Sequence, residues 1–349
     1  MARKLLSASL ALAPITLVVD LALHPGDVAL FTLAALSLVP LAWLIGESTE
    51  HAAEHTGPGI GGFLNASFGN APELIIAGFA VADSLPNVVR GSLAGSVISN
   101  LLLVLGVALI AGETGKRIDR NSLLLQLGLV ATAVALFAVP SILGWHGDPE
   151  RHSLAVLSTP IAGVLLLLYV VVQALQLRRF SRAHAHTREE ARAGAWPLPR
   201  ALLVLSVATA ATAVVSEILV HSLEGFAKTA GLSQFFISIV IVAVVGNAAE
   251  HGGAIVIARR GKMRLATEIA VSSSAQVALF VTPAVALLSW AIGPALPLAF
   301  RWEELAAMAA ATGAVTFAVF DGWSRRWQGF ALAGFYAVMV IGFGFAGDR

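Results

Sequence analysis

Apolar runs of about twenty residues recur along the chain, separated by short breaks that hold most of its charges, glycines and prolines. A run of that length spans the ~30 Å hydrocarbon core of a bilayer as an α-helix rising ~1.5 Å per residue. The pattern predicts helices near residues 5–23, 27–55, 59–84, 88–110, 120–144, 152–177, 199–226, 232–259, 264–288, 300–321 and 326–346. Leu123–Pro140 and Leu154–Gln173 are near-continuous apolar stretches. A membrane β-barrel would instead alternate apolar and polar residues in segments of about ten. The expectation is an all-α polytopic membrane protein with about eleven transmembrane helices. The apolar run after Arg3-Lys4 reads as the first of them, because no small-residue cleavage site followed by a polar start succeeds it.

Composition agrees. Of 349 residues 57% are hydrophobic and 12% charged, about half the charged fraction of a typical soluble domain. The 22 Lys and Arg nearly balance the 21 Asp and Glu, so net charge offers no reason to expect a nucleic-acid partner. With no cysteine there is no disulfide frame, thiolate metal site or thiol nucleophile. The placement of the basic residues is more informative. With a cytoplasmic N-terminus, every Lys and Arg except Arg90, Arg151, Lys228, Arg301 and Arg349 falls in an inside loop or at an inside helix end. That is the positive-inside distribution, and it places the C-terminus outside. The lack of targeting extensions points to a prokaryotic inner membrane.

The chain also repeats itself. Gly69-Asn70-Ala71-Pro72-Glu73 is echoed by Gly246-Asn247-Ala248-Ala249-Glu250, and the same offset carries Ser96 onto Ser273 and Ser99 onto Gln276. The expected division is an N-terminal helix (1–26), a five-helix repeat (27–177), a basic cytoplasmic linker (178–198) and a second five-helix repeat (199–349). With five helices each, the repeats are inverted, an architecture that brings broken helices together near the midplane of secondary transporters.

A carboxylate at the centre of a membrane helix costs ~2.5–3.5 kcal/mol on insertion scales, so Glu73 and Glu250 require a partner or a use. Each follows an asparagine by three residues on one helical face and sits near a glycine that permits close approach or a locally opened backbone. Pro72 removes one backbone donor from the first motif. The inventory is rich in oxygen: two carboxylates, Asn70, Asn247, Ser96, Ser99, Ser273, Gln276 and freed carbonyls. Such a set suits a hard cation such as Ca²⁺, which takes six to eight oxygens. Two carboxylates in one desolvated pocket need neutralising, and cations and protons would compete for them. The bland alternative is that these polar residues only bond neighbouring helices.

These residues carry a family resemblance. The stretch from Glu50 to Gly106, with Gly61-Gly62-Phe63-Leu64-Asn65-Ala66-Ser67-Phe68-Gly69-Asn70-Ala71-Pro72-Glu73 and Gly95-Ser96-Val97-Ile98-Ser99-Asn100, resembles the first signature repeat of the cation/proton exchangers within the Ca²⁺/cation antiporter superfamily. Gly246-Asn247-Ala248-Ala249-Glu250-His251 and Ser273-Ser274-Ala275-Gln276 resemble the second. The resemblance implies a Ca²⁺/H⁺ antiporter, with no cofactor, in which Glu73 and Glu250 bind Ca²⁺ and carry protons while Asn70, Asn247, Ser99 and Gln276 line the site. Pro72, Ser272 and Ala275 depart from the family's usual residues.

A second set of acids flanks this core. Glu47, Glu50, His51 and Glu54 share a face at the cytoplasmic end of the second helix, and Glu217, His221 and Glu224 do so toward the outer end of the seventh. Glu50 and Glu217, taken as repeat equivalents, are candidates for cation-collecting and proton-relay stations, with His251 a possible relay beside Glu250. Interfacial charge in water is the plain alternative. Other readings are Na⁺ or K⁺ exchange for protons at the same site, Mn²⁺ as a further cation, and a passive cation channel. A membrane metallopeptidase is suggested only by His51-Ala52-Ala53-Glu54-His55, which fits the H-x-x-E-H pattern. The orientation is directly testable because the chain has no native cysteine. Lys228→Cys should react with a membrane-impermeant thiol reagent in intact cells, and Arg260→Cys only in everted vesicles; the reverse result would invert the assignment.

Overall fold

The computed structural model describes residues 2–23, 25–183 and 196–348. The described residues are almost entirely helical and contain no strand. They form helices α1 (Leu6–Leu23), α2 (Asp27–Phe68), α3 (Ala71–Ala82), α4 (Pro86–Ala111), α5 (Arg120–Gly144), α6 (His152–Ala183), α7 (Leu198–Ala230), α8 (Gln234–Gly246), α9 (Ala248–Arg259), α10 (Met263–Ile292), α11 (Trp302–Val319) and α12 (Arg326–Ala346). Eight of these are long and apolar enough to cross a membrane, or nine with α8 and α9 counted as one span bent by 57°.

The structure departs from the eleven expected spans in two places. Helices near 27–55 and 59–84 were expected, but the backbone continues unbroken through 56–58, and α2 runs for 42 residues to Phe68. At ~1.5 Å per residue it is roughly twice the thickness of a hydrocarbon core. The break falls instead at Gly69-Asn70, leaving α3 as a 12-residue half-helix. Pro58 and its flanking glycines suggested a boundary by local propensity, yet α2 lies along α7 for much of its length, with Phe31 stacked on Phe226 at 4.2 Å between ring centroids. Long-range packing of this kind overrides propensity. The basic linker expected over 178–198 is also shorter at its start, since α6 remains helical to Ala183. Residues 184–195, including His184 and His186, lie outside the described residues.

The internal repeat is copied in the backbone at the same offset. The 12-residue α3 and α9 superimpose in number, and both are followed by a turn with a left-handed residue, Ser84 in the first and Gly261 in the second. Next, α4 and α10 each run 14 residues as regular α-helix, to Ser99 and to Gln276. Each then widens into a five-residue π turn, Asn100–Val104 and Val277–Val281. Widened turns of this kind are concentrated at functional sites.

Burial grades from centre to rim. The apolar window of α4 is 83% buried, against 22% for α6 and 11% for α1. Outer helices turn Leu21, Leu167, Phe317 and Phe345 outward, as lipid-facing surfaces require. The tight centre depends on glycine. Gly91 and Gly95 form a G-x-x-x-G face on α4 that meets the π turn of α8 (Ile237–Val242), and a Cβ at Gly95 would lie 2.0 Å from the Ile239 carbonyl oxygen. Close approach through small residues is the usual way helices associate in lipid, where no hydrophobic force acts between them. Gly95→Ala should therefore lower thermal stability by about 1–3 kcal/mol in detergent through overpacking. Gly128→Ala on α5, with nothing within 4 Å of its added methyl group, should leave stability nearly unchanged.

Candidate cation site

Both signature motifs form helix breaks. Asn70 (φ −96°, ψ 16°) precedes α3 and Asn247 (φ −92°, ψ 14°) precedes α9, nearly the same non-helical geometry at equivalent positions. Their carbonyls accept the first helical bonds, from Leu74 N–H at 3.1 Å and His251 N–H at 3.0 Å. Glu73 and Glu250 thus sit in the first turns of half-helices, rather than mid-helix as the sequence suggested. Pro72 falls where a helix has no internal partner for its N–H, so the missing donor costs little there. Each carboxylate lies by the positive end of a helix dipole, which favours its negative charge by ~0.3–1 kcal/mol.

The two glutamates are brought within range of each other's charge. Glu73 is buried and packs against Gly246, its Cγ 3.5 Å from where a Cβ would stand. Both oxygens of Glu73 and Oε2 of Glu250 are buried without a hydrogen-bond partner. A cavity of about 10 Å³, lined by Glu73, Ser92, Ser96 and Gly246 among others, adjoins Glu73. That is about one solvent probe sphere.

The neighbouring amides bond across the repeats. Asn70 Nδ2 donates to Gln276 Oε1 at 2.8 Å, and Asn247 Nδ2 donates to Ser96 Oγ at 2.7 Å. Asn100 Nδ2 donates to Asn247 Oδ1 at 2.9 Å and to Ser273 Oγ at 3.0 Å. Of the residues expected to line the site, Asn247, Ser96 and Ser273 therefore meet in one network through Asn100, and Asn70 and Gln276 form a second pair. Ser99 is buried, with its hydroxyl turned back to the Ser96 carbonyl at 3.3 Å. Asn100 was absent from the expected set. It stands in the signature stretch after Ser99, but its repeat equivalent is Val277, so comparing the repeats hid it.

The flanking set divides. Glu50 and Glu217 are exposed, as is His221, whose Nε2 lies 3.6 Å from Asp83 Oδ2 beyond the end of α3. Glu224 pairs with Lys228 at 2.9 Å. Glu54 Oε2 stands 4.0 Å from His51 Nδ1, His51 stacks on Trp196, and His55 Nε2 is 2.7 Å from the Trp196 carbonyl. Trp196 thus engages both histidines of the H-x-x-E-H pattern. Among the described residues no three His, Asp or Glu side chains converge as a metal cage. His251 is buried with Nε2 unpartnered.

Broken helices meeting near Glu73 and Glu250 inside a polytopic membrane bundle are an architecture of secondary transporters. The family model for the sodium/calcium exchanger protein matches residues 27–178 and 200–345. The chain belongs to that family, with its cation/proton exchangers as relatives. It is 36% identical to the Ca²⁺/H⁺ antiporter ChaA of Bacillus subtilis (strain 168), covering 92% of this chain and 93% of the relative. It is 35% identical to the vacuolar cation/proton exchanger 1a of Oryza sativa subsp. japonica, covering 90% and 74%. The crystal structure of the selenium-substituted Ca²⁺/H⁺ antiporter YfkE matches with a TM-score of 0.83 at 34% identity, covering 98% of this chain and 99% of that one. The H⁺/Ca²⁺ exchanger CAX, at 16% identity and a TM-score of 0.75, shares the fold.

Asn100→Ala would leave Asn247 Oδ1 and Ser273 Oγ without their donor. It should reduce stability by about 1–3 kcal/mol, read as a lower unfolding temperature in detergent; an unchanged temperature would remove Asn100 from the network.

Proposed function

We propose that this protein exports cytoplasmic Ca²⁺ in exchange for entering protons, with Glu73 and Glu250 as the shared site and alternating access as the mechanism. The observation that carries this reading is Glu73, buried with no donor to either oxygen, together with Glu250, whose Oε2 is buried without one, while the surrounding amides are bonded to one another. Acceptors left open in a low-dielectric site call for positive charge. One divalent cation neutralises two carboxylates, and so do two protons, so either load gives a site that can be carried through the bundle. Unloaded, the pair would present two buried negative charges, which opposes transit without cargo. Asn70, Asn247, Ser99 and Gln276 complete the oxygen set in this reading, with Ser96 and Ser273 behind them. The ion is cargo, and no cofactor takes part.

The names of the relatives support Ca²⁺ and H⁺ as the exchanged pair. The proposed organisation is an N-terminal span (1–26) and two repeats (27–177 and 199–349) joined by the basic segment 178–198. Five spans per repeat, an odd number, would run the second half opposite to the first, so one motif opens toward each membrane face. In this arrangement Glu50 and Glu54 stand at the cytoplasmic mouth and Glu217 and His221 at the outer one, as stations that collect cations and protons, while His251 serves the Glu250 side. The N-terminus is cytoplasmic, the C-terminus external and the membrane a prokaryotic inner membrane.

Everted vesicles carrying the protein and an acidic interior should release protons on addition of Ca²⁺. Glu73→Gln and Glu250→Gln should each reduce that release to the level of vesicles lacking the protein. Release that survives both substitutions would refute the site. A response to Na⁺ or K⁺ but not Ca²⁺ would reassign the cargo, and an ionic current without proton release would indicate a channel.

A further inference from the structure

The two repeats differ at one pair of positions in a way the cation site does not use. Gly91 and Gly95, the close-packing glycines of α4, have Glu268 and Ser272 as their equivalents on α10. Where the first repeat brings helix backbones together, the second therefore carries a carboxyl and a hydroxyl inside a membrane span. Ionisable residues on a membrane-spanning helix are seldom retained without a role.

Glu268 lies half-buried less than two turns from the start of α10 and faces α5. Its Oε2 accepts from Ser122 Oγ at 2.9 Å and from Gln126 Nε2 at 2.9 Å, and Gln126 Nε2 also stands 3.2 Å from Ser122 Oγ. The charged groups facing it are Asp119, at the start of α5, and Arg264, one turn earlier on α10; these two bond each other. Farther in, a cavity of about 60 Å³ is lined by Gln126, Tyr169, Gln173, Ser272 and Gln276. Gln126 is 6% exposed, and its Oε1 is buried without a partner. By liquid volume the cavity has room for about two waters. At its inner end Gln276 holds Asn70, three residues before Glu73.

We infer that Glu268, Ser122, Gln126 and this cavity form a proton route from the Glu73/Glu250 site to the face bearing Asp119 and Arg264, separate from the path taken by the cation. When Ca²⁺ displaces protons from the site, a site carboxyl passes one to a water in the cavity. That water passes a proton to ionised Glu268, which releases it to bulk water at that face and is left ionised, ready for the next. No bond other than O–H is made or broken.

The surroundings fit a proton better than a divalent cation. A cation of the Ca²⁺ kind requires six to eight oxygens, whereas Glu268 offers one carboxyl whose Oε2 is engaged by a hydroxyl and an amide donor. The Arg264 guanidinium also repels a double charge twice as strongly as a single one.

This inference rests on the exchange reading above, and its test separates the two. The probe is Ca²⁺-evoked proton release in everted vesicles, followed across pH, together with Ca²⁺ binding to purified protein. Glu268→Gln keeps the shape and hydrogen-bonding capacity of the side chain. It should leave Ca²⁺ binding intact but slow proton release by about tenfold, and less so at alkaline pH, where hydroxide is a readier acceptor for the leaving proton. Raising the concentration of a small membrane-impermeant buffer, which can accept the leaving proton at that face, should restore the rate, a rescue that a merely structural role would not show. Glu73→Gln, by contrast, should abolish Ca²⁺ binding; if it does not, the exchange site is wrong whatever Glu268 does. A wild-type rate and pH profile for Glu268→Gln would overturn the route. A raised Ca²⁺ requirement with an unaltered pH profile would overturn it too, by making Glu268 a cation-collecting group.

Discussion

Two carboxylates held inside a membrane bundle impose the constraint on which the other features depend. In a medium without water, a carboxylate must be met by donors, by a helix terminus or by a counter-charge. The fold supplies the second of these twice, by breaking a helix at Asn70 and again at Asn247 so that Glu73 and Glu250 fall in first turns. It withholds the first, since the nearby amides bond one another and leave three glutamate oxygens without donors. In the proposed exchange, the third comes from the transported cation or protons. The close contact of α4 with α8 through Gly91 and Gly95 keeps the centre dense enough for this arrangement to persist.

The halves share a backbone but not their hydrogen bonds. Half-helix, turn, 14-residue helix and π turn recur at one offset, whereas Asn70 is tied to Gln276 and Asn247 to Ser96 and Asn100. A symmetric backbone with asymmetric side-chain bonding fits the alternating access proposed above. Glu268 and Ser272 extend the asymmetry. In place of the glycine contact of the first repeat they put a polar edge beside a cavity.

Much of the fold was legible in the chain. Apolar run lengths marked most of the spans, and Gly-Asn-Ala-x-Glu with its echo marked both breaks and both glutamates. Serine and glutamine at matching offsets pointed to the network around them. Asn100 escaped because its role has no counterpart in the other repeat, and the continuity of α2 through 56–58 escaped because glycine and proline there signal a boundary locally. The helical register of Glu73 could not be read either, because a helix break and a helix interior share the same apolar surroundings in sequence.

The division has a physical origin. Hydrophobicity, charge placement and internal repetition act along the chain, so the sequence alone determined an all-helical membrane protein with two related halves and paired intramembrane glutamates. The depth of each carboxylate, the partner of each amide and the survival of a helix through Pro58 depend on which surfaces meet across more than a hundred residues. Only the tertiary structure decided those, because hydrogen bonds and van der Waals contacts between distant segments exist only once the helices are packed.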